Sequence, residues 1–258
     1  MSGIWAILKK DFSSCYRSWV GTLVLSAFLL IAGIFFTLFL LSYSQFSLTA
    51  AREAYKEIQG LSLTAFIMGA FLLNLGVFFL FLAPLLSMRS IAEEKRFGTL
   101  ELLYTYPLSD FEIVAGKYLS LLAQVAILFL PTLSYALVIH WLGAHLDMGI
   151  IGSGTIGFFL LTASFLAGGL YFSSLTENQI LAGGLTFTFL LVLWVLEWLA
   201  GFLPGPLSVQ VSALSPFVHF RDFSMGIVDL TDVTYFLAFI AFFFFLTLRR
   251  IEMRNWKA

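Results

Sequence analysis

Charge is the scarcest commodity in this chain: Asp, Glu, Lys and Arg make up 11% of 258 residues, and 60% are hydrophobic. A soluble domain carries roughly 25% charged residues, so there is too little polar material here to wrap a core of this size in a hydrated skin. Lipid is the expected solvent for much of the surface. Cysteine is nearly absent; Cys15 stands alone, which excludes an intramolecular disulfide. No GxxxxGK[ST] sequence is present, so the loop that cradles nucleotide phosphates is missing and the chain is not expected to hydrolyse ATP by itself. The long apolar runs contain no pair of catalytic side chains at helical spacing, which argues against an intramembrane protease or lipid transferase. No repeat of fixed period and no low-complexity linker divides the sequence, so residues 1–258 are read as one membrane domain.

What the sequence does have is long uncharged runs, at about 19–42, 62–88, 118–142, 149–174, 179–201 and 233–248. A helix needs about 20 apolar residues to cross a bilayer, and the six runs predict six spans. The fifth carries Glu197 near its end, and the sixth is short unless Ile251 and Trp256 prolong it beyond the arginines. Trp19–Leu41 is too long for the h-region of a cleaved signal, about 7–15 residues, and is read as a retained anchor. With both termini inside, the inner segments hold eleven of the fourteen Lys and Arg residues and the outer segments hold Arg52, Lys56 and Arg221. The positive-inside rule therefore predicts cytoplasmic termini, in a prokaryotic plasma (inner) membrane.

Before the first run, residues 4–19 predict a helix whose Ile4, Leu8, Phe12, Cys15 and Trp19 fall within about 80° of one another, with Trp5 and Tyr16 widening the face. Lys9, Lys10 and Arg17 lie elsewhere around it, the pattern of a helix lying in the headgroup layer; 1–18 is assigned that role. Gly152, Gly154, Gly157, Gly168, Gly169, Gly183 and Gly184 are expected to allow close helix packing. Pro84 and Pro131 are expected to kink the second and third spans.

Arg89–Lys117, between spans two and three, holds nine of the chain's twenty-nine charged side chains. Arg89–Arg96 is expected to carry the second span inward as helix, with Gly98 ending it. Thr99 is expected to cap a short helix to Tyr104, which Pro107 breaks. Ser109 and Glu112 form an S-x-x-E capping box for the next helix. The exposed side of this knob is expected to offer Glu93, Glu94, Arg96 and Glu101 with Tyr104 and Tyr106. On the opposite side of the membrane, residues 202–232 are too apolar for a free loop and are broken by Pro204, Pro206 and Pro216, which predicts an interfacial or re-entrant segment. His219 within it, and Glu197, are the candidates for transport or gating, with a structural role the competing reading. His140, His145 and Asp147 do not match a zinc spacing, and no metal site is expected. Glu177 falls in the inner loop between spans four and five.

The stretch RSIAEEKRFGTLELLYTYPLSDFEIVAGKYL resembles the first cytoplasmic loop of ABC-2 family permeases, the membrane subunits of ATP-binding-cassette transporters, and is most similar to their gliding-motility and nitrous-oxide-reductase-maturation branch. LSPFVHFRDFSMGIVDLTDVTYFL, residues 214–237, resembles that branch's last outer loop. The resemblance implies an all-α polytopic fold with six spans, an interfacial N-terminal helix, a cytoplasmic coupling helix and short re-entrant helices before the last span. It implies docking of Glu93, Glu94, Arg96, Gly98, Thr99 and Glu101, bounded by Tyr106 and Pro107, onto a separate ATPase that holds ATP and Mg; this chain binds neither. Partners implied are two ATPase copies, a second permease copy or relative, an auxiliary extracytoplasmic protein and the bilayer, with no nucleic acid. Export is the implied direction. The competing functions are an ion-coupled secondary transporter, against which the uncharged first four spans argue, and a membrane assembly factor without an ATPase.

Overall fold

The computed structural model describes residues 3–17, 19–52, 65–100, 106–141 and 147–255. Glu101, Tyr104, Lys56, His145, Trp256 and Lys257 lie outside these. The described residues form helices joined by short turns, and no strand occurs among them. In chain order the helices are α1 Gly3–Arg17, α2 Trp19–Arg52, α3 Ala70–Ser87, α4 Ala92–Arg96, α5 Asp110–Phe129, α6 Ser134–Trp141, α7 Met148–Leu175, α8 Gln179–Ala200, α9 Pro206–Ser212, α10 Pro216–Ser224 and α11 Leu230–Asn255.

Six helical stretches are long and apolar enough to cross a membrane, and each coincides with a predicted run: Gly21–Gln45, Ile67–Arg96, Asp110–Trp141, Met148–Leu175, Gln179–Ala200 and Leu230–Met253. The sixth is not short. Its helix continues beyond Arg249 and Arg250, because Ile251 is buried and Arg249 finds Glu252 at 2.8 Å and the Phe245 ring at 5.1 Å. The second span does not continue unbroken to Arg96. Helix α3 ends at Ser87, a turn follows, and α4 starts afresh at Ala92. Pro131 turns the third span into a 3₁₀ stretch, Leu130–Leu133, before α6 resumes, since proline clashes with the carbonyl a turn earlier and offers no N–H.

Helix α7 is the centre of the bundle. Two thirds of its most apolar window, 67%, is buried inside the protein, against 22% for α2, α8 and α11. It packs against α3, α5, α8, α10 and α11. Its glycines are why these neighbours come so close: a methyl group at Gly154 would overlap Leu72, one at Gly157 would overlap Cβ of Phe223, and one at Gly169 would overlap Ser87. Gly152 and Gly184 face open space and take no part. Gly157→Ala is therefore expected to cost about 1–3 kcal/mol by overpacking, because a Cβ cannot swing away without moving α10. Gly184→Ala is expected to raise stability by about 0.5–1 kcal/mol through helix propensity. Melting temperatures in detergent should move in opposite directions.

Between α8 and α11 the chain makes two short helices, each starting with proline at its first turn, where the missing N–H costs nothing. Helix α9 has no buried residue. Helix α10 sinks Phe217, Phe220 and Phe223 into the core against α7 and α3.

Candidate functional site

The charged segment between spans two and three folds into two parts with different chemistry, one buried and one exposed. The buried part is centred on Lys117, which sits one turn beyond the Ser109 capping box of α5. That box is formed: Glu112 N–H donates to Ser109 Oγ at 3.2 Å, and Ser109 N–H donates to Glu112 Oε2 at 3.0 Å. The Lys117 side chain is 1% exposed. A buried ammonium needs partners: Lys117 Nζ donates to Ser90 O at 2.7 Å and Asp11 Oδ2 at 3.2 Å, and is ion-paired with Glu94 Oε2 at 2.7 Å. Glu94 also takes Lys10 Nζ on its other oxygen at 2.8 Å. Two cations and two carboxylates thus balance, and they tie α1, α4 and α5 together. Burial by itself would lower the Lys10 ammonium; the hydrogen bond and charge of Glu94 outweigh it and leave it above the ordinary lysine value.

Glu94 is therefore not on the exposed side of the knob, as its sequence position had led us to expect. Its side chain is 12% exposed and turned inward, because α4 rests on buried Ile91 and Ala92 and Lys117 requires a carboxylate. The turn that starts α4 is stapled by α7. Ser173 Oγ accepts from Ile91 N–H at 3.1 Å and Ala92 N–H at 3.0 Å, and donates to Met88 O at 3.1 Å. Lys95 donates to Ser174 O in the same place. The knob stands on the end of the central helix.

The exposed part is its tip. Arg96, Phe97, Gly98 and Thr99 are exposed, as are Tyr106 and Pro107, and Glu93 is half-buried. Gly98 has φ +69°, a left-handed conformation that suits glycine and ends α4 as predicted. The Thr99 hydroxyl lies 3.4 Å from the Glu94 carbonyl behind it; Thr99 and Leu100 are helical, and the rest of the expected short helix to Tyr104 lies outside the described residues. Phe97 and Tyr106 are each 66% exposed, and the Arg96 guanidinium lies 5.9 Å from the Phe97 ring. Phe97 was missed in the sequence; the available signal was a large apolar residue immediately before the helix-ending glycine. Glu101 lies outside the described residues. Glu177 is exposed in the turn before α8, which Asn178 caps through Ile180 N–H at 2.9 Å.

At the opposite end of the bundle, the two candidates for transport or gating are both held by partners. Glu197 is paired with Arg221, joining α8 to α10. His219 is buried, with Nδ1 2.6 Å from Asp232 Oδ1, Nε2 donating to Ala213 O at 2.9 Å, and its ring stacked 4.0 Å from that of Tyr235. These contacts lash α10 to α11. Asp147 caps α7 through Gly149 N–H at 2.9 Å, and His140 is exposed. Among the described residues no group of three His, Cys, Asp or Glu side chains is placed to hold a metal.

The sequence profile described as ABC-2 family transporter protein matches residues 5–250. The chain belongs to that family. It is accordingly a multi-pass membrane protein and the permease component of an ABC transporter, a transport subunit rather than a catalytic one. The family typically works with an ABC ATPase partner. No curated protein sequence matches this chain.

Proposed function

We propose that this chain is the permease subunit of an ABC exporter of the gliding-motility and nitrous-oxide-reductase-maturation type, driven by a separate ATPase that seizes the tip of α4. The observation that carries the reading is an exposed aromatic tip on a rigid base: Phe97 and Tyr106 stand out, while Ser173 and the Lys117 knot fix the turn beneath them. A surface meant to transmit force needs that combination. The docking set is Glu93, Arg96, Phe97, Gly98, Thr99, Tyr106 and Pro107, to which the sequence adds Glu101; Glu94 supports it from below. Two permease copies and two ATPases assemble across the inner membrane, with ATP and Mg held on the ATPases. Both termini of this chain face the cytoplasm. Approach of the ATPases would tilt α7 through α4 as a rigid body, and α7 reaches the outer end through α10. An auxiliary protein meets the complex on that outer side. Helix α1 lies in the headgroup layer; it sets Ile7 against α5 while leaving Trp5 exposed, as a helix shared between protein and lipid requires. The ion pair at Glu197 removes the acid that an ion-coupled relay would use.

The test is co-expression with the ABC ATPases of the source organism. One of them should co-purify in a two-to-two complex whose ATPase activity exceeds that of the ATPase alone, and a reporter fused after Glu252 should be cytoplasmic. A chain that transports unaided, or a reporter on the outer side, rejects the proposal.

A further inference from the structure

A cavity of about 430 Å³ opens beside the Lys117 knot, where α1, α2, the turn between α3 and α4, and α5 meet. One face of α5 forms its back wall. Lys117, Ser120, Leu121, Gln124 and Leu128 line it in succession, a run of about 16 Å at 1.5 Å per residue. The run starts at an ammonium and a hydroxyl, passes a leucine and an amide, and ends at leucine. Val24, Leu85 and Leu86 complete the apolar end. The gradient is that of an amphiphile standing in one leaflet.

The charged end names the headgroup. Lys10, Asp11, Glu94 and Lys117 line the cavity but are ion-paired with one another. Arg89 and Glu93 also line it, and neither makes an ion pair among the described residues. Among the described residues Arg89 Nε is buried without a hydrogen-bond acceptor, and a ligand that supplies one relieves that loss. The site thus lacks an anionic acceptor for a guanidinium and a cation for a carboxylate, a few ångströms above an apolar slot. Phosphate is the natural bidentate partner of arginine. We propose that the cavity seats one zwitterionic phospholipid of the cytoplasmic leaflet, with its phosphate on Arg89, its ammonium toward Glu93 and a chain along Leu121 and Leu128. The leaflet assigned rests on the proposed cytoplasmic placement of residues 89–117, and the lipid site is tested without the ATPase partner.

Native mass spectrometry of the purified chain in detergent tests it, by titration with phosphatidylethanolamine, phosphatidylglycerol and the soluble headgroup glycerophosphoethanolamine. One saturable phosphatidylethanolamine adduct is expected, with phosphatidylglycerol roughly tenfold weaker and no adduct of the headgroup alone. Arg89→Gln removes no ion pair among the described residues and should weaken the adduct at least about tenfold. Glu93→Gln should erase the preference between the two lipids. Ser14→Phe, at an exposed position on the rim, fills the mouth without touching a charge and should also remove the adduct. Absence of a saturable adduct, its retention by either the Arg89 or the Ser14 variant, or equal binding of the soluble headgroup overturns the proposal.

Discussion

Lys117→Met is expected to lower the stability of the purified protein by about 3 kcal/mol, the usual consequence of removing one partner from a buried ion pair. For a chain of this size the melting temperature should fall by roughly 6–12 °C. Loss of the lysine is not the main cost. Glu94 and Asp11 would keep their charges in a partly dry place with only Lys10 to answer them, and Ser90 O would lose its donor. The origin of the effect can be separated by neutralising the carboxylates too. Lys117→Met combined with Glu94→Gln and Asp11→Asn removes the orphaned charge and should recover most of the loss, since a buried ion pair is often no better than a well-packed neutral substitute. A shift below about 2 °C for the single variant, or no recovery in the triple, would show that the knot does not hold α1, α4 and α5 together.

Why the knot was invisible in the sequence follows from its separations. Lys10 meets Glu94 across 84 residues and Lys117 meets Asp11 across 106. No local period relates such positions. The same holds for Ser173, which lies 81 and 82 residues from the N–H groups it satisfies; in sequence it is one more small residue in an apolar run. Features written by neighbouring residues were legible. The spans came from uninterrupted hydrophobicity, the start of α5 from serine and glutamate three apart, and the end of α4 from Gly98. The apolar stripe of α1 located the helix but not its packing face, because Ile7, outside the stripe, is what meets Gly116. Charge density along 89–117 marked the segment as a candidate site without dividing it. Only the three-dimensional arrangement separates Glu94, which supports, from Arg96 and Phe97, which are presented.

That division yields the sharpest test of docking. Phe97→Asp should weaken assembly with the partner ATPase roughly 30-fold, about 2 kcal/mol, the scale of a buried aromatic anchor at an interface. It should leave the melting temperature of the permease alone unchanged, because a side chain 66% exposed contributes little to its own fold. Tyr106→Ala should add to the loss, since it removes the second exposed ring of the proposed docking set. Charge reversal at Glu94 should behave differently. It would set a third cation against Lys10 and Lys117, so assembly and thermal stability should fall together. The two readouts, affinity measured by titrating the ATPase onto the detergent-solubilised permease and unfolding measured without it, therefore sort anchors from supports. Normal affinity of the Phe97 variant would mean that the ATPase grips some other surface, and the aromatic tip would lose its assigned role.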